Sequence, residues 1–316
     1  MPTAQLSSDM PSTDVHRIGI VTGEVAPDLS DDGQKLQSVL QARGFDVEPV
    51  VWDESSVEWA TYDVLVVRSC WHYHIRPAQF RAWLETVDAL DVVVLNPPNV
   101  CRWNMHKFYL RELEEAGVPV IPTEYVDRGS DVDLDALLER RGWTDAVVKP
   151  AVGTSADGVW RVTAPVGSDA IGRFQDHRSK ADLLVQRFVP EIARGELSVV
   201  LFGGAYSHAF RSVPTTGDFR AHPNFGGTVE PLDPAPGLEV QAREVVSSAC
   251  DLRSMDPASL AYARVDGVEL AGEFTLMELE LIEPYLGIGM SDGALDPFAE
   301  TIVTTLRRRT NAPRGS

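Results

Sequence analysis

The sequence predicts an α/β protein of several lobes, the first of which is built on a parallel sheet covered by helices. The chain has 316 residues, enough to bury the cores of two or three lobes. Its first part alternates apolar strand patterns with amphipathic helix patterns, which is typical of parallel sheets. The alternation breaks at Asn96-Pro97-Pro98-Asn99, and strands joined by short glycine turns are predicted further along.

The first lobe is predicted from its periodicity. Short apolar runs predict strands at residues 17–22, 47–51, 63–67 and 92–95. Apolar residues at helical spacing predict helices at 32–44 and 78–90. Ligands of parallel sheets bind beyond the carboxyl ends of the strands. The loop 68–74 is therefore the predicted contact surface, with Arg68, Ser69, Trp71 and Tyr73 as its candidate substrate-binding residues.

The rest of the chain alternates less regularly. Helices are predicted at 107–117, 133–141, 238–249 and 297–308. Strands are predicted at 146–149, 159–162, 183–189, 197–202, 205–210, 261–265 and 274–281, with a hairpin across Gly203-Gly204. The expected organisation is an N-terminal lobe at 16–102, a central lobe at 103–183 and a C-terminal lobe at 184–310, between a disordered leader (1–15) and tail (311–316).

Composition limits the classes of partner. The formal net charge of −19 argues against nucleic acids and anionic membranes, because both would be repelled. No apolar run approaches the roughly 18–20 residues of a membrane helix, and the first fifteen residues do not resemble a signal peptide. Cys70, Cys101 and Cys250 lack metal-binding spacing and predict reduced thiols in the cytoplasm. A small molecule is the expected partner, and a homodimer is left open.

Two of only four lysines lie in segments suited to a polyphosphate. Lys149 ends an apolar run and precedes Pro150 and a loop flanked by Gly153 and Gly158, while Lys107 lies upstream. The loop has the glycine spacing of a P-loop, but valine stands where that motif requires lysine. The pattern predicts a flap whose backbone N–H groups cover phosphates while Lys149 binds a phosphate oxygen. An ordinary hairpin turn is the alternative.

Acidic residues on two predicted strands indicate a magnesium site. Glu278 and Glu280 are two positions apart, so their side chains project from one face of the strand. Asp266 on the neighbouring strand supplies a third carboxylate, and Mg²⁺ combines such ligands with phosphate oxygens. Mn²⁺ is an alternative ion. A solvated acidic face is the simpler interpretation of the pattern.

Three further segments suit a nucleotide. Arg220 lies in a loop and is predicted to stabilise charge on a transferring phosphoryl group. The backbone from Gln186 through Phe188 to Val189 is suited to pair with a flat base, and Glu196 to accept hydrogen bonds from ribose hydroxyls. Taken singly, Arg220 is more simply a surface arginine, the segment 186–189 a strand end and Glu196 an exposed acid.

The order of these parts resembles the ATP-grasp ligases, in the branch related to bacterial glutathione synthetase. The series that carries the resemblance is Lys107, Lys149-Pro150, Gln186-Arg187-Phe188-Val189-Pro190, Gly217-Asp218-Phe219-Arg220, Asp266 and Glu278-Leu279-Glu280. Within that branch, Arg68-Ser69-x-Trp71-x-Tyr73 and the segment Met277-Glu278-Leu279-Glu280-Leu281-Ile282-Glu283-Pro284 resemble the subgroup of D-cycloserine synthetase type.

The resemblance implies an ATP-grasp fold with an N-terminal parallel-sheet pre-ATP-grasp domain, and ATP between the central and C-terminal lobes. It implies that Lys107 and Lys149 bind phosphates and that Gly153 and Gly158 bound the flap. It implies that Gln186, Phe188 and Val189 contact adenine and that Glu196 binds ribose. It also implies that Asp266, Glu278 and Glu280 bind Mg²⁺ and that Arg220 faces the acyl phosphate. Lys149 and Arg220 are the expected catalytic residues. Such enzymes phosphorylate a carboxylate with ATP and let an amine attack the acyl phosphate.

The expected function is therefore an ATP- and Mg²⁺-dependent carboxylate–amine ligase acting on a small amino-acid-like substrate. The substrate side departs from the glutathione synthetases, since Arg220-Ala221-His222 stands where they have Arg-x-Asn. Three alternatives remain: an intramolecular cyclo-ligase, a ligase that adds an amino acid to a peptide or protein end, and a nucleotide-binding regulator without turnover.

Overall fold

The computed structural model describes residues 16–311, with side chains through residue 308. The predicted leader lies outside the described residues, as does the predicted tail except Asn311, which ends the last helix. The strands form two sheets of four and one of five. Each sheet belongs to one lobe, and the functional cleft lies between them.

The first lobe is a parallel sheet, as its strand–helix alternation predicted. Its strands are β1 (Arg17–Thr22), β2 (Asp46–Val51), β3 (Val64–Ser69) and β4 (Val93–Leu95), in the order β2-β1-β3-β4, and its helices are α1 (Asp31–Ala42) and α2 (Pro77–Asp88). All neighbouring strands are parallel. Ser30 is the N-cap of helix α1, where its side chain accepts a hydrogen bond from the Gly33 amide, and the helix buries Leu36 and Leu40. The loop after β3 therefore reaches the carboxyl edge of the sheet.

The central lobe surrounds an antiparallel sheet. Its elements are α3 (Pro98–Asn104), α4 (Tyr109–Glu115), β5 (Thr123–Val126), α5 (Leu134–Arg141), β6 (Asp145–Pro150), β7 (Trp160–Thr163), α6 (Ser168–Lys180) and β8 (Leu183–Arg187), with strand order β5-β8-β6-β7. Because β8 pairs with both β5 and β6, we propose that the boundary to the next lobe lies after Arg187 rather than before Leu184.

Two helices of this lobe were not predicted. Helix α3 begins at Pro98, and the proline pair that the sequence indicates as a break occupies its first turn, where a missing N–H costs no hydrogen bond. Helix α6 buries only Phe174, so its sequence carries little apolar periodicity.

The C-terminal lobe carries the five-stranded sheet. Its elements are β9 (Glu196–Phe202), β10 (Ala205–Val213), β11 (Thr228–Leu232), α7 (Leu238–Leu252), β12 (Ala263–Leu270), β13 (Glu273–Glu280) and α8 (Leu295–Asn311), with strand order β11-β10-β9-β12-β13. The predicted β9–β10 hairpin is confirmed. Strand β11 was not predicted, because Thr228–Leu232 is polar and half-exposed.

The last helix packs on the first lobe. Phe298 and Ile302 of α8 share one apolar core with Ile18 and Leu36. Arg43 adds an ion pair to Asp296 at 2.9 Å. The chain thus returns to its beginning, and this packing holds the first lobe against the sheet that carries the predicted magnesium ligands.

Candidate active site

A cleft of about 730 Å³ opens between the lobes, a size that fits a nucleotide with a small second ligand. The predicted site residues that line it are Trp71, Tyr73, Lys107, Lys149, Gly153, Gln186, Phe188, Val189, Glu196, Arg220, Asp266, Glu278 and Glu280. Arg68, Ser69 and Gly158 are the predicted residues that do not line it. The structure therefore brings together side chains from all three lobes.

The acidic strand is held in place by buried hydrogen bonds from the central lobe. The Asn104 amide donates to the Leu279 carbonyl at 2.8 Å and accepts from the Leu281 amide at 2.9 Å. The Tyr109 hydroxyl also contacts the Leu279 backbone at 2.9 Å. Because the backbone at Leu279 and Leu281 is fixed in this way, the side chains of Glu278 and Glu280 face the cleft.

Lys107 connects the flap to the acidic strand. Its ammonium donates to the Gly153 carbonyl at 2.8 Å and to the Glu278 carboxylate at 2.5 Å. Burial opposes the charged form of Glu278, but Lys107 and Lys149 outweigh it, so the pKa of Glu278 is lowered. Burial also lowers the pKa of the Lys149 amine, and Glu278 partly offsets that effect. Lys107 thus pairs directly with Glu278, and Lys149 acts on the same carboxylate only through its charge.

Arg264 is a site residue that the sequence reasoning missed. Its guanidinium donates to Asp266 at 2.9 Å and to Glu280 at 2.5 Å, and it also donates to the Tyr285 carbonyl. It lines the cleft between the predicted magnesium ligands. A signal was present, because Arg264 lies two positions before Asp266 on the same strand and therefore shares its face.

The predicted metal ligands lie at one end of the cleft together with three cations. We call this the charged end, and it consists of Lys107, Lys149, Arg264, Asp266, Glu278 and Glu280. Burial and neighbouring acids raise the pKa of Glu280 to about 7 and that of Glu196 to about 8, despite the opposing charge of Arg264. Across residues 16–308, no three acidic, histidine or cysteine side chains stand ready as a metal site. Asp266, Glu278 and Glu280 are oxygen donors on one wall of the cleft, the ligand type that Mg²⁺ takes, so they fit this ion once Arg264 or Lys107 releases a carboxylate.

The flap has an unusual backbone and contacts the first lobe. Ser155 and Ala156 are both left-handed, with φ of 55° and 56°. The Thr154 hydroxyl lies 2.9 Å from His74 Nδ1, and Asp157 lies 3.5 Å from His74 Nε2. Burial lowers the pKa of His74, while Asp157 acts in the opposite direction. The flap is therefore attached to the predicted substrate loop.

The segment after β8 offers an edge for a flat base. The Phe188 amide donates to the Asp145 carbonyl at 3.0 Å, whereas the Val189 amide has no acceptor in the described chain. The Gln186 side-chain amide is buried and donates a hydrogen bond to the Thr123 hydroxyl at 3.0 Å. Val189 therefore has a free backbone donor at the cleft wall.

Arg220 is fixed before any ligand binds. Asp218 accepts hydrogen bonds from its Nε at 3.0 Å and its Nη2 at 2.7 Å, and these bonds lower the pKa of Asp218 to about 2. The guanidinium carbon lies 3.6 Å from the centre of the Phe225 ring. Such preorganisation is what charge stabilisation in a reaction requires.

The first-lobe loop divides into two parts. Trp71 and Tyr73 line the cleft. Arg68 is buried beneath it, where its guanidinium donates to the Pro284 carbonyl at 2.8 Å and lies 4.9 Å from the Tyr262 ring centre. Ser69 is also buried and contacts Ser30. Arg68 and Ser69 therefore support the loop from below.

Comparisons with known proteins identify the family. The sequence model described as D-cycloserine synthetase DcsG, N-terminal domain, matches residues 18–96, and that of the prokaryotic glutathione synthetase ATP-grasp domain matches residues 119–247. The cycloserine biosynthesis protein DcsG of Streptomyces lavendulae is 31% identical over 310 residues, covering 92% of this chain and 99% of that protein. A glutathione synthetase of Prochlorococcus marinus is 30% identical over 48% of this chain and 47% of its own.

Solved structures give the same result. The crystal structure of D-cycloserine synthetase DcsG has a TM-score of 0.80 at 28% identity and covers 92% of this chain and 99% of that one. D-alanine–D-alanine ligase of Bacillus anthracis, complexed with ATP, has a TM-score of 0.64 at 16% identity over 93% of this chain and 100% of its own, a likeness of fold alone.

The fold and the site define an enzyme that uses ATP and Mg²⁺ to form a C–N bond, releasing ADP and phosphate. The chain belongs to the ATP-grasp ligases, in the glutathione synthetase-like branch that includes DcsG. Among the described residues, no helix is both long and apolar enough to cross a membrane.

Proposed function

We propose that this ligase closes a ring within one small amino acid, in the manner that the name D-cycloserine synthetase indicates, rather than joining two molecules. One observation carries the proposal. Similarity to DcsG runs through the first lobe as well as the nucleotide lobes, whereas the glutathione synthetase match covers 48% of the chain. The first lobe contributes Trp71 and Tyr73 to the cleft, so the part that faces the substrate is DcsG-like.

The roles of the nucleotide-binding residues follow from chemistry and position. Lys107 and Lys149 bind phosphates, because Lys107 donates to the Gly153 carbonyl of the flap and Lys149 lies in the strand that leads into it, and both line the cleft. The Val189 amide donates to adenine, and the left-handed Ser155 and Ala156 orient flap N–H groups over the phosphates. Glu196 binds a ribose hydroxyl, since its half-buried carboxylate lines the cleft at the start of β9 and can accept hydrogen bonds there.

Asp266, Glu278 and Glu280 bind Mg²⁺ in this proposal. Mg·ATP supplies the phosphoryl group that activates the substrate carboxylate as an acyl phosphate. Arg220 and Arg264 stabilise the negative charge that develops as the amine displaces phosphate, because both are already oriented at the cleft. The flap, attached to His74, excludes water that would hydrolyse the acyl phosphate.

The test is a screen for ADP release with product masses measured. Candidate substrates are D- and L-amino acids whose side chains end in an amine, aminooxy or ureido group, each offered alone and then with a second amine. A product lighter than the single substrate, formed without a second amine, is the expected result and means cyclisation.

Two other outcomes would redirect the assignment. A product whose mass equals two reactants minus water would replace cyclisation with ligation, including addition to a peptide end. ATP binding without ADP release from any compound would favour the regulator instead.

We also infer a cytoplasmic location, since Cys70, Cys101 and Cys250 are buried free thiols, as expected in a reducing compartment. A homodimer is our proposed assembly. Cell fractionation and light scattering of the purified protein test these two inferences, and a monomer by light scattering would remove the second.

A further inference from the structure

Glu283 is a buried acid that the reaction outlined above does not use. It follows β13, its exposed fraction is 8%, and it lines the cleft beside Ile282. Within residues 16–308, no group donates a hydrogen bond to its carboxylate and no cationic nitrogen lies within 4.0 Å. Glu278 and Glu280, by contrast, pair with Lys107 and Arg264. A buried acid without a partner in its own chain indicates a partner in the ligand.

The arginine that acts on Glu283 most strongly does not pair with it. Arg68 is almost fully buried, its Nη2 donates to the Pro284 carbonyl, and its Nη1 has no hydrogen-bond partner among the described residues. Its guanidinium lies 4.9 Å and 5.8 Å from the Tyr262 and Phe298 ring centres. Burial raises the pKa of Glu283 well above its usual value, Glu280 adds to this effect, and Arg68 only partly opposes it. A positively charged ligand would restore the ionised form.

The surroundings of Glu283 suit an organic cation. Tyr73 is also buried, and no described residue hydrogen-bonds its hydroxyl. The negative charge of Glu283 is close enough to raise the pKa of Tyr73 further. Phe210 and Tyr285, with ring centres 5.8 Å apart, line the cleft from the C-terminal lobe. We call Trp71, Tyr73, Phe210, Glu283 and Tyr285 the aromatic end of the cleft; aromatic faces and a carboxylate both attract ammonium groups.

The position also suits the reaction. Glu283 is three residues from Glu280, a span of at most roughly 10 Å. A small amino acid can therefore place its carboxylate at the charged end while its ammonium reaches the aromatic end. Lys149 and Arg264 offer positive charge to the carboxylate of such a substrate, and Glu283 offers negative charge to its ammonium.

The geometry points to Glu283 as the residue that binds the substrate's ammonium group and so selects amino acids over their deaminated counterparts. The hydroxyl of Tyr73 accepts a second hydrogen bond from the same ammonium. This inference rests on the proposed function, because it assumes a small amino-acid substrate. The ammonium of a free amino acid and the amino terminus of a short peptide share this chemistry.

The experiment compares kcat/KM for ADP release on each amino acid, on the matching 2-hydroxy acid and on dipeptides. We expect the wild-type enzyme to prefer the amino compound and Glu283→Gln to lose about 10- to 100-fold of that preference, the effect of losing a charge-assisted hydrogen bond. Tyr73→Phe should lose less, and Glu283→Asp should recover part of the preference. Activity on dipeptides would identify a peptide terminus as the source of the ammonium.

Controls separate the two proposals. Glu269→Gln removes an exposed acid from the same sheet and should change nothing. ATP affinity by calorimetry should be equal in Glu283→Gln and wild type, which also verifies folding. If wild type prefers the amino compound and Glu283→Gln keeps that preference, the assignment of Glu283 is overturned while the ligase proposal stands. If no amino compound releases ADP or binds in calorimetry, both proposals fall.

Discussion

The charged end and the aromatic end of the cleft differ in how their polar groups are paired. At the charged end Lys107 pairs with Glu278, and Arg264 pairs with Asp266 and Glu280. At the aromatic end the Glu283 carboxylate is buried without a described partner. The charged end is thus internally compensated and must exchange partners to admit Mg²⁺ and phosphates. The aromatic end has an unmet requirement that only a ligand supplies.

This contrast separates chemistry from specificity. In the proposed function the charged end contains the groups for ATP activation, and its sequence signals are among those that carry the resemblance to the ATP-grasp ligases. The aromatic end combines the first-lobe loop with residues that follow β13, and it is where related enzymes with different substrates are expected to differ. Substitutions at the charged end should alter turnover, and substitutions at the aromatic end should alter substrate choice.

The largest effect is expected from Glu278→Gln combined with Glu280→Gln. Loss of both carboxylates removes proposed magnesium ligands, and we expect ADP formation to fall by about 10³-fold or more. ADP release and thermal melting are the measurements. Retained activity in a folded double variant would contradict the magnesium assignment, and Glu269→Gln is the matched control.

Lys149→Ala should weaken ATP binding by about 10- to 100-fold, because a buried cation that contacts phosphate is lost. Calorimetry with ATP tests this expectation. Lys180→Ala is the control, since Lys180 is exposed and pairs with Asp176 one helical turn away. Equal ATP affinity in Lys149→Ala and Lys180→Ala would break the division between the two ends.

Trp71→Ala tests the aromatic end of the cleft. We expect KM for the substrate to rise about 10-fold while ATP affinity stays unchanged, because Trp71 lines the cleft from the first lobe. Steady-state kinetics and ATP calorimetry on the same preparation measure both. Replacing residues 71–73 with those of a relative should likewise change the substrate profile, and an unchanged profile would remove the loop from substrate selection.

The smallest effect concerns His74, which joins the flap to the substrate loop. His74→Gln should raise KM for ATP about two- to fivefold. Because the folded pKa of His74 is lowered, its contribution to stability is present above the unfolded pKa of about 6.5 and is lost as the pH falls through the folded value. The free energy of unfolding of His74→Gln should therefore fall less between pH 7 and pH 5.

Urea denaturation at several pH values measures the free energy of unfolding and tests this direction of its pH dependence. His16→Gln, which alters a histidine paired with Asp63 far from the flap, is the control. An identical pH profile for wild type and His74→Gln would show that His74 does not titrate in this range.

Much of the fold could be predicted because period-two and period-3.6 patterns are local. The parallel sheet of the first lobe and the β9–β10 hairpin followed from such patterns. Strand β11 and helix α6 could not be found this way, because neither has a strongly buried face. Strand β11 depends on pairing with a neighbouring strand, and helix α6 depends on the packing of one aromatic residue.

The site shows the same limit. The motifs around Lys149 and Glu278 carry their chemistry in residue type and spacing, so the charged end was predictable. Arg68 has equally suggestive chemistry, yet it binds the Pro284 carbonyl, 216 residues away in sequence. Whether an arginine faces a ligand or supports a loop depends on what packs over it, and local sequence does not contain that information.

The sequence by itself determined the parallel sheet of the first lobe, the two scarce lysines and the acidic strand, because these depend on local periodicity and residue chemistry. Only the tertiary structure decided that Arg264 lies between Asp266 and Glu280, and that Glu283 lies buried in the cleft without a described partner. The physical reason is that burial and charge pairing arise from contacts between distant segments. Those contacts set the free energy of each charge, and they form only when the three lobes meet.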